Sequence, residues 1–287
     1  RAKVQNGPDL HKPMIWLHVP KEWNARRWAH FFERGSYDLN QPYMYMTIKS
    51  IADRCGDHFN IAVIDDDSFA SILPNWDVDM GAVGDPVKGN LRQLALARIL
   101  HTHGGMVLPP STVCVHSLIY MHKHGLKHDK DMYVGQFVND RAPAVEFPSK
   151  KNRFRIGTRL MGCAPKSAAM LRLVKYLEMQ YGADPGSSEA EFVDRAAEFC
   201  AHMFDSGLVH VIDGRMIGTR TAKDKAVDVH HLMGDSYVEF DLKTLVCIHV
   251  PHEDILAYPK YQWFAYLNVK DALDSNTLLG DWLTRVQ

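Results

Sequence analysis

The densest run of chemistry-bearing side chains is Asp65-Asp66-Asp67-Ser68, directly after the apolar run Phe59–Ile64. Carboxylates at the end of a buried strand can bind a hydroxyl or cap the next helix. Here Asp67 or Ser68 is placed to cap a helix reaching Leu73, where Pro74 stops it. Arg92 stands at the start of a long helical pattern. It can pair with Asp85 or an acidic turn, or fork onto two oxygens of a phosphate. His249, His252, Glu253 and Asp254 cluster near the C-terminus and read first as structural or surface groups. His122, His124 and His128, with Asp129 and Asp131, give H-x-H-x3-H in a lysine-rich stretch. That spacing matches no metal-ligand pattern and reads as a solvated loop. Trp23, Trp28, Tyr258, Tyr261, Trp263 and Tyr266 read as packing in the core or at a subunit interface rather than as a stacking platform for a ligand. G-x-S-x-G, P-loop, G-x-G-x-x-G and H-E-x-x-H motifs are absent from the sequence.

These side chains need elements to hold them. Met14–Val19 is a buried-strand pattern stopped by Pro20, and Phe59–Ile64 is a second. Between them, an aromatic and arginine-rich loop or short helix precedes a helix that starts at Asn40-Gln41-Pro42 and ends near Arg54. Asn75–Asp85 is turn-rich. Asn90–His103 is the clearest helix, with Gly104 as its C-cap and His101 and His103 suited to its C-terminal dipole. Gly105–Val115 begins and ends as strand. Pro109-Pro110 must carry the chain out of the sheet, because two prolines cannot sit in a central ladder. Met132–Val138 and Arg155–Cys163 are further strands, with a loop over Arg141–Arg153. Helices follow over Ser167–Tyr181 and from Ser188 to Phe204, with Ser188 and Glu191 forming a capping box. Val209–Ile212 and Arg215–Gly218 flank Asp213-Gly214, a hairpin signal. A strand at Leu245–Val250 and a helix near Asn276–Arg285 close the chain. Strands alternating with helices predict an α/β domain with a largely parallel sheet and an irregular C-terminal part. Residues 1–13 read as an extended arm and 14–287 as one domain. What precedes Arg1 is left open between a signal, an anchor and an artificial boundary.

The 287 residues are 46% hydrophobic and 23% charged, with 33 Lys+Arg against 34 Asp+Glu. A formal net charge of −1 argues against a protein that coats nucleic acid or holds membranes by a polybasic patch. Sixteen histidines would turn the net charge positive below about pH 6.5. No apolar run is long enough for a membrane-spanning helix. The five cysteines, Cys55, Cys114, Cys163, Cys200 and Cys247, are scattered without a C-x-x-C pair. They read as buried free thiols and favour a reducing compartment, whether cytoplasm, viral particle or organelle.

The stretch Asn90–Leu118, NLRQLALARILHTHGGMVLPPSTVCVHSL, carries a resemblance. It is similar to sugar-nucleotide glycosyltransferases of the GT-A fold. The nearest likeness is to the family of capsular-polysaccharide synthesis proteins and yeast-type mannosyl- and inositolphosphoceramide-sugar transferases. Their motif runs D-x-x-R, a helix, then G-G-I/V-Y-x-D-x-D. Arg92 matches the arginine, and Gly104-Gly105 with Met106–Leu108 matches the glycine turn and strand. Gly89 stands where the first aspartate belongs, and Pro109 and Ser111 stand where the D-x-D carboxylates belong. Met14–Val19 with Pro20, and Arg159–Leu171, fit the same outline, so the likeness covers about residues 13–182. The helix–Gly-Gly–Pro pattern also resembles proteins of large-DNA-virus type.

The resemblance implies a GT-A-like, Rossmann-like, mostly parallel sheet flanked by helices. It implies a nucleotide-sugar half over about 14–120 and an acceptor half over about 121–287. It implies transfer of a sugar from a nucleotide-sugar to a hydroxyl of a glycan or protein. Asp65, Asp66, Arg92, Gly104, Gly105 and Ser111 are then donor-side candidates, with Lys88, Arg26 and Arg27 able to meet the diphosphate charge. His249, His252, Glu253 and Trp263 are acceptor-side candidates. The missing carboxylates imply no Mn or Mg cofactor, since a serine hydroxyl is a weak ligand for hard cations. They leave a second reading open: a catalytically inactive scaffold with protein partners in an assembly such as a virion or organellar complex.

Overall fold

In the computed structural model, residues 9, 11–20, 39–127, 129–138 and 154–287 are described. The first half runs β1 (Met14–His18), α1 (Met44–Cys55), β2 (Asn60–Ile64), α2 (Ser68–Ile72), α3 (Val87–His103), β3 (Gly105–Val107), β4 (Val113–Cys114) and α4 (Ile119–Gly125). The second half runs β5 (Met132–Val138), β6 (Phe154–Cys163), α5 (Ala168–Ala183), α6 (Glu189–Asp205) and β7 (His210–Ile212). It ends with α7 (Val229–Leu232), β8 (Cys247–Ile248), α8 (His252–Ala257), α9 (Gln262–Ala265), α10 (Val269–Leu273) and α11 (Leu278–Arg285).

Six strands form one mixed, mostly parallel sheet in the order β2-β1-β3-β6-β5-β7. Strands β2, β1 and β3 are parallel neighbours, as the three apolar runs of the first half predict. Strand β6 runs antiparallel to both of its neighbours, β3 and β5, and β5 pairs parallel with β7. Strand side chains alternate between faces, so each strand feeds two cores. Trp16, Val107, Met132, Val134 and Met161 pack with α3, α5 and α6 on one face. Ile15, Leu17, Met106, Tyr133, Phe137 and Leu160 pack on the other with Ile51, Leu118 and Met121. A third cluster joins Tyr43, Met44 and Met46 to the short C-terminal helices, including Phe264, Leu279 and Trp282.

Pro109-Pro110 takes the chain out of the sheet as expected. Strand β4 then pairs with β8 in a separate two-stranded sheet. Gly104 and Gly105 have φ of +69° and +89°. A Cβ on Gly105 would stand 2.2 Å from the Met14 carbonyl oxygen, and one on Gly104 would stand 2.6 Å from Pro165 Cδ. Both conformation and space therefore require glycine at this turn.

Three expectations differ from the structure. Asp213-Gly214 makes no hairpin: Arg215–Gly218 is turn, and β7 takes β5 as its partner instead. The Gln136 side chain and carbonyl, on β5, bond Gly214 N (3.1 Å) and Thr219 Oγ1 (2.8 Å) and hold the wider turn. The helix at Ser68 is not capped by Asp67 or Ser68. Asp65 Oδ1 accepts from Ser68 N at 3.0 Å and from Ser68 Oγ at 2.7 Å. The stretch from His122 is not wholly a solvated loop: His122 lies on α4, is buried, and its Nδ1 meets the Tyr133 hydroxyl at 2.8 Å. His128, Arg26, Arg27, Trp23, Trp28 and the loop over 141–153 lie outside the described residues. All five cysteines are buried and free, with Cys55 and Cys114 sulfurs 3.7 Å apart. No helix among the described residues is long and apolar enough to cross a membrane.

Candidate functional site

In parallel α/β sheets, ligands bind beyond the carboxyl ends of the strands, where strand order reverses. Here β1 lies between β2 and β3, so the crevice is at the ends of these three strands. His18 ends β1, Asp66 follows β2, and Pro109–Ser111 follow β3. Helix α3 returns antiparallel to β3 and sets Arg92, in its second turn, over the same end.

His18, Asp66 and Arg92 form one buried constellation. Arg92 Nε donates to Asp66 Oδ1 at 2.8 Å, and Arg92 Nη2 donates to Oδ2 at 2.6 Å. His18 Nε2 donates to Asp66 Oδ1 at 3.0 Å. The His18 ring stacks on Phe69, centroids 5.2 Å apart. Burial pushes the Asp66 carboxyl up, but hydrogen bonds from His18 and Arg92 outweigh it and hold the group well below the usual carboxylate range. Arg92 thus finds an acid in Asp66, on the turn after β2.

A second junction lies across the crevice. Ser111 Oγ donates to the Val250 carbonyl at 2.8 Å and meets His252 Nδ1 at 3.1 Å. The serine proton is directed to the carbonyl, so Nδ1 of the imidazole is the donor to Ser111. Burial pushes the His252 pKa down to about 4, with Glu253 opposing. Beside it, Glu253 Oε2 lies 3.4 Å from Arg159 Nη2.

Glu189 links the two groups. It opens α6, with Ser188 Oγ capping at Glu191 N (3.2 Å). Its carboxylate packs onto Gly89 of α3: a Cβ on Gly89 would stand 2.5 Å from Glu189 Oε2. Loss of water there and the charge of Glu253 push the Glu189 carboxyl above its usual range, against the pull of Arg92.

The structure therefore brings Asp66, Arg92, Ser111, His252 and Glu253 to one end of the sheet. Asp65 is beside them but is spent on the Ser68 turn. Gly104 and Gly105 are at the opposite end, where β1 and β3 begin, and shape the chain there. Trp263 lies on α9, exposed, edge-on to Phe264. His249 lies under Phe137, ring centroids 5.0 Å apart. Sequence reasoning missed His18, Glu189 and Arg159. Glycine at position 89, where a side chain could have stood, was the one signal for Glu189.

The divalent metal of the resembled family does not fit these residues. Pro109 has no side-chain oxygen, and the Ser111 hydroxyl is committed to Val250 and His252. Among the described residues, no group of three or more His, Cys, Asp or Glu side chains could hold a metal ion.

No family model matches the chain, and no curated protein matches it. Several solved structures are similar at low identity. One is a glycosyltransferase involved in glycosylation of the major capsid of PBCV-1: 12% identity, 83% of this chain and 93% of that one, TM-score 0.39. A second is the Streptococcus pneumoniae TIGR4 glycosyltransferase GlyE: 8% identity, 96% of this chain and 64% of that one, TM-score 0.41. A third is the galactosyltransferase LgtC, solved with donor and acceptor sugar analogues: 10% identity, 71% of this chain and 75% of that one, TM-score 0.36.

Proposed function

We propose that this chain binds a nucleotide-sugar at the carboxyl ends of β1–β3 and transfers its sugar to a hydroxyl acceptor without a divalent metal. The observation that carries the reading is the convergence of Asp66 and Arg92 with Ser111 and His252. These positions are far apart in sequence, and the resemblance puts Asp66, Arg92 and Ser111 on the donor side and His252 on the acceptor side. Residues 14–120 supply the donor side and residues 121–287 the acceptor side.

In this reading Arg92 is pre-set by Asp66 and His18, so its orientation is fixed before a ligand arrives. Arg92 and Lys88, on the first two turns of α3, face the diphosphate together with the positive end of the helix. They take over the charge stabilisation of the leaving group that a cation gives elsewhere. Glu189, its carboxyl held above the usual range, and Glu253 are the carboxyl groups placed to take a proton from an acceptor hydroxyl.

Titration calorimetry against UDP- and GDP-sugars, with and without Mn²⁺, tests this. Binding that is indifferent to Mn²⁺ and falls about ten- to a hundredfold in Arg92→Lys is expected, because a lysine keeps only one of the two bonds to Asp66 that orient the charge and is a point charge where the guanidinium has donors to spare. The absence of binding at millimolar nucleotide-sugar would sink the transfer reading. The commitment of Ser111 to Val250 and His252 would then favour a non-catalytic scaffold with protein partners.

A further inference from the structure

Three of the five thiols share one core. Cys55, Cys114 and Cys247 lie with Ile51, Phe59 and Leu118 on one face of the sheet, while Cys163 and Cys200 lie in the core on the other face. Cys55 closes α1, Cys114 closes β4, and Cys247 stands opposite Cys114 in the β4–β8 ladder. None of the three belongs to the crevice described above.

Cys55 and Cys114 are 59 positions apart in the chain, yet their sulfurs are 3.7 Å apart. That is van der Waals contact, against about 2.05 Å for a bonded pair. The segments that carry them are already fixed to one another. The Cys114 amide donates to Ser50 Oγ at 2.9 Å, and Thr47 Oγ1 donates to the Pro110 carbonyl at 2.6 Å. Helix α1 is thus tied along the segment from Pro110 to Cys114.

The thiols are not equivalent. The single Cys114 proton faces two acceptors, the Cys55 sulfur and the His116 carbonyl at 3.0 Å. The hydrogen bond from Cys114, joined by one from the Leu118 backbone, holds Cys55 below the usual thiol range against its burial. The same bond, with burial, pushes Cys114 well above it, and burial pushes Cys247 up as well. Cys55 is therefore the nucleophile of the cluster, because the thiolate rather than the thiol attacks. Both sulfurs are buried, but under a thin cover. Positions 52–54 and 56–58, on either side of Cys55, are exposed, and so is His116. Cys55 is the last residue of its helix, and a helix opens most easily at its ends.

We infer that Cys55 and Cys114 are an oxidation-sensitive pair, which hydrogen peroxide converts to a reversible disulfide joining α1 to β4. The Cys55 thiolate attacks one peroxide oxygen, the O–O bond breaks and hydroxide leaves, taking up the proton that Cys55 released. Cys55 is then a sulfenic acid. The Cys114 sulfur attacks the Cys55 sulfur, the S–O bond breaks, and the oxygen leaves as water with the Cys114 proton. In sum, the two thiols give up two electrons and two protons, and the peroxide becomes two waters. Cys247 is the competing partner for Cys114. Cys163 and Cys200, across the sheet, are out of reach of both.

Peptide mapping of the full chain tests the inference. The reduced, folded protein is treated with hydrogen peroxide, the remaining thiols are alkylated in denaturant, and the digest is read by mass spectrometry before and after dithiothreitol. The expected product is a Cys55–Cys114 linkage that dithiothreitol reverses. Closing a loop of this length should raise the melting temperature by about 5–10 °C over the reduced protein. Cys55→Ala should abolish the linkage and the rise, and Cys200→Ala should keep both. Where Cys55→Ala fails to fold, mapping of the parent decides alone. Linkage of Cys114 to Cys247 overturns the pair, as does linkage that forms only once the chain unfolds. Sulfinic acid at Cys55 with Cys114 still free, or a folded protein whose thiols all remain open to alkylation, overturns it too.

Discussion

Arg92 and Asp66 make a two-point ion pair, 2.8 Å from Nε to Oδ1 and 2.6 Å from Nη2 to Oδ2. Arg92 belongs to a helix and Asp66 to a strand-end turn, so the pair ties α3 to the carboxyl end of β2. With side-chain exposures of 16% and 9%, it is unlike a surface pair, where solvent screens most of the interaction. His18 adds a third connection, to β1.

Asp66→Asn should therefore destabilise the protein by about 3 kcal/mol, the order found when one partner of a buried pair is removed. Arg92→Lys should cost less, because a single ammonium still meets the carboxylate but loses the second bond. Urea denaturation of the two variants checks the order. Equal and negligible losses would show that the constellation does not support the fold.

The protein should lose stability in mild acid. Burial pushes His122 and His252 down to about 4, below the ordinary histidine value, so the unfolded chain takes up these protons first. The stability they contribute is fully present above about pH 6.5 and is lost as pH falls toward 4. Melting temperatures across that range should drop steeply. In His122→Gln, which keeps an amide oxygen for the Tyr133 hydroxyl, the drop should be shallower. A parent and variant with parallel pH profiles would contradict the assignment.

Gly105→Ala and Gly89→Ala should differ. The new Cβ at Gly105 meets the Met14 carbonyl oxygen, part of a central strand, and the φ of +89° is strained for any side chain. A loss well above about 1 kcal/mol is expected. At Gly89 the obstacle is the far end of the Glu189 side chain, which can swing away. Gly89→Ala should fold normally and change nucleotide-sugar binding instead. Chemical denaturation paired with calorimetry separates the two effects.

Ser111→Ala should cost about 1–3 kcal/mol, because it leaves the Val250 carbonyl and His252 Nδ1 without their partner in a buried site. Ser111→Cys, which keeps a weak donor, should recover part of it. A neutral alanine variant would show that the junction is not structurally important.

The sequence by itself determined the local elements and the adjacency of the first three strands. Apolar runs at Met14–Val19, Phe59–Ile64 and Gly105–Leu108, separated by helical periodicity, allow few arrangements other than parallel neighbours. Gly104-Gly105 and Pro109-Pro110 act through their own backbones, so their effect on the chain was legible without any partner. Only the tertiary structure decided what the site side chains touch. Asp66 with Arg92, Ser111 with His252, and Glu189 with Gly89 lie 26, 141 and 100 positions apart. No periodicity reaches across such separations; packing of whole elements sets them. Asp213-Gly214 fails for the same reason. A local turn preference of this kind yields when a neighbouring strand, here β5, offers a full ladder to β7 and Gln136 holds the turn open.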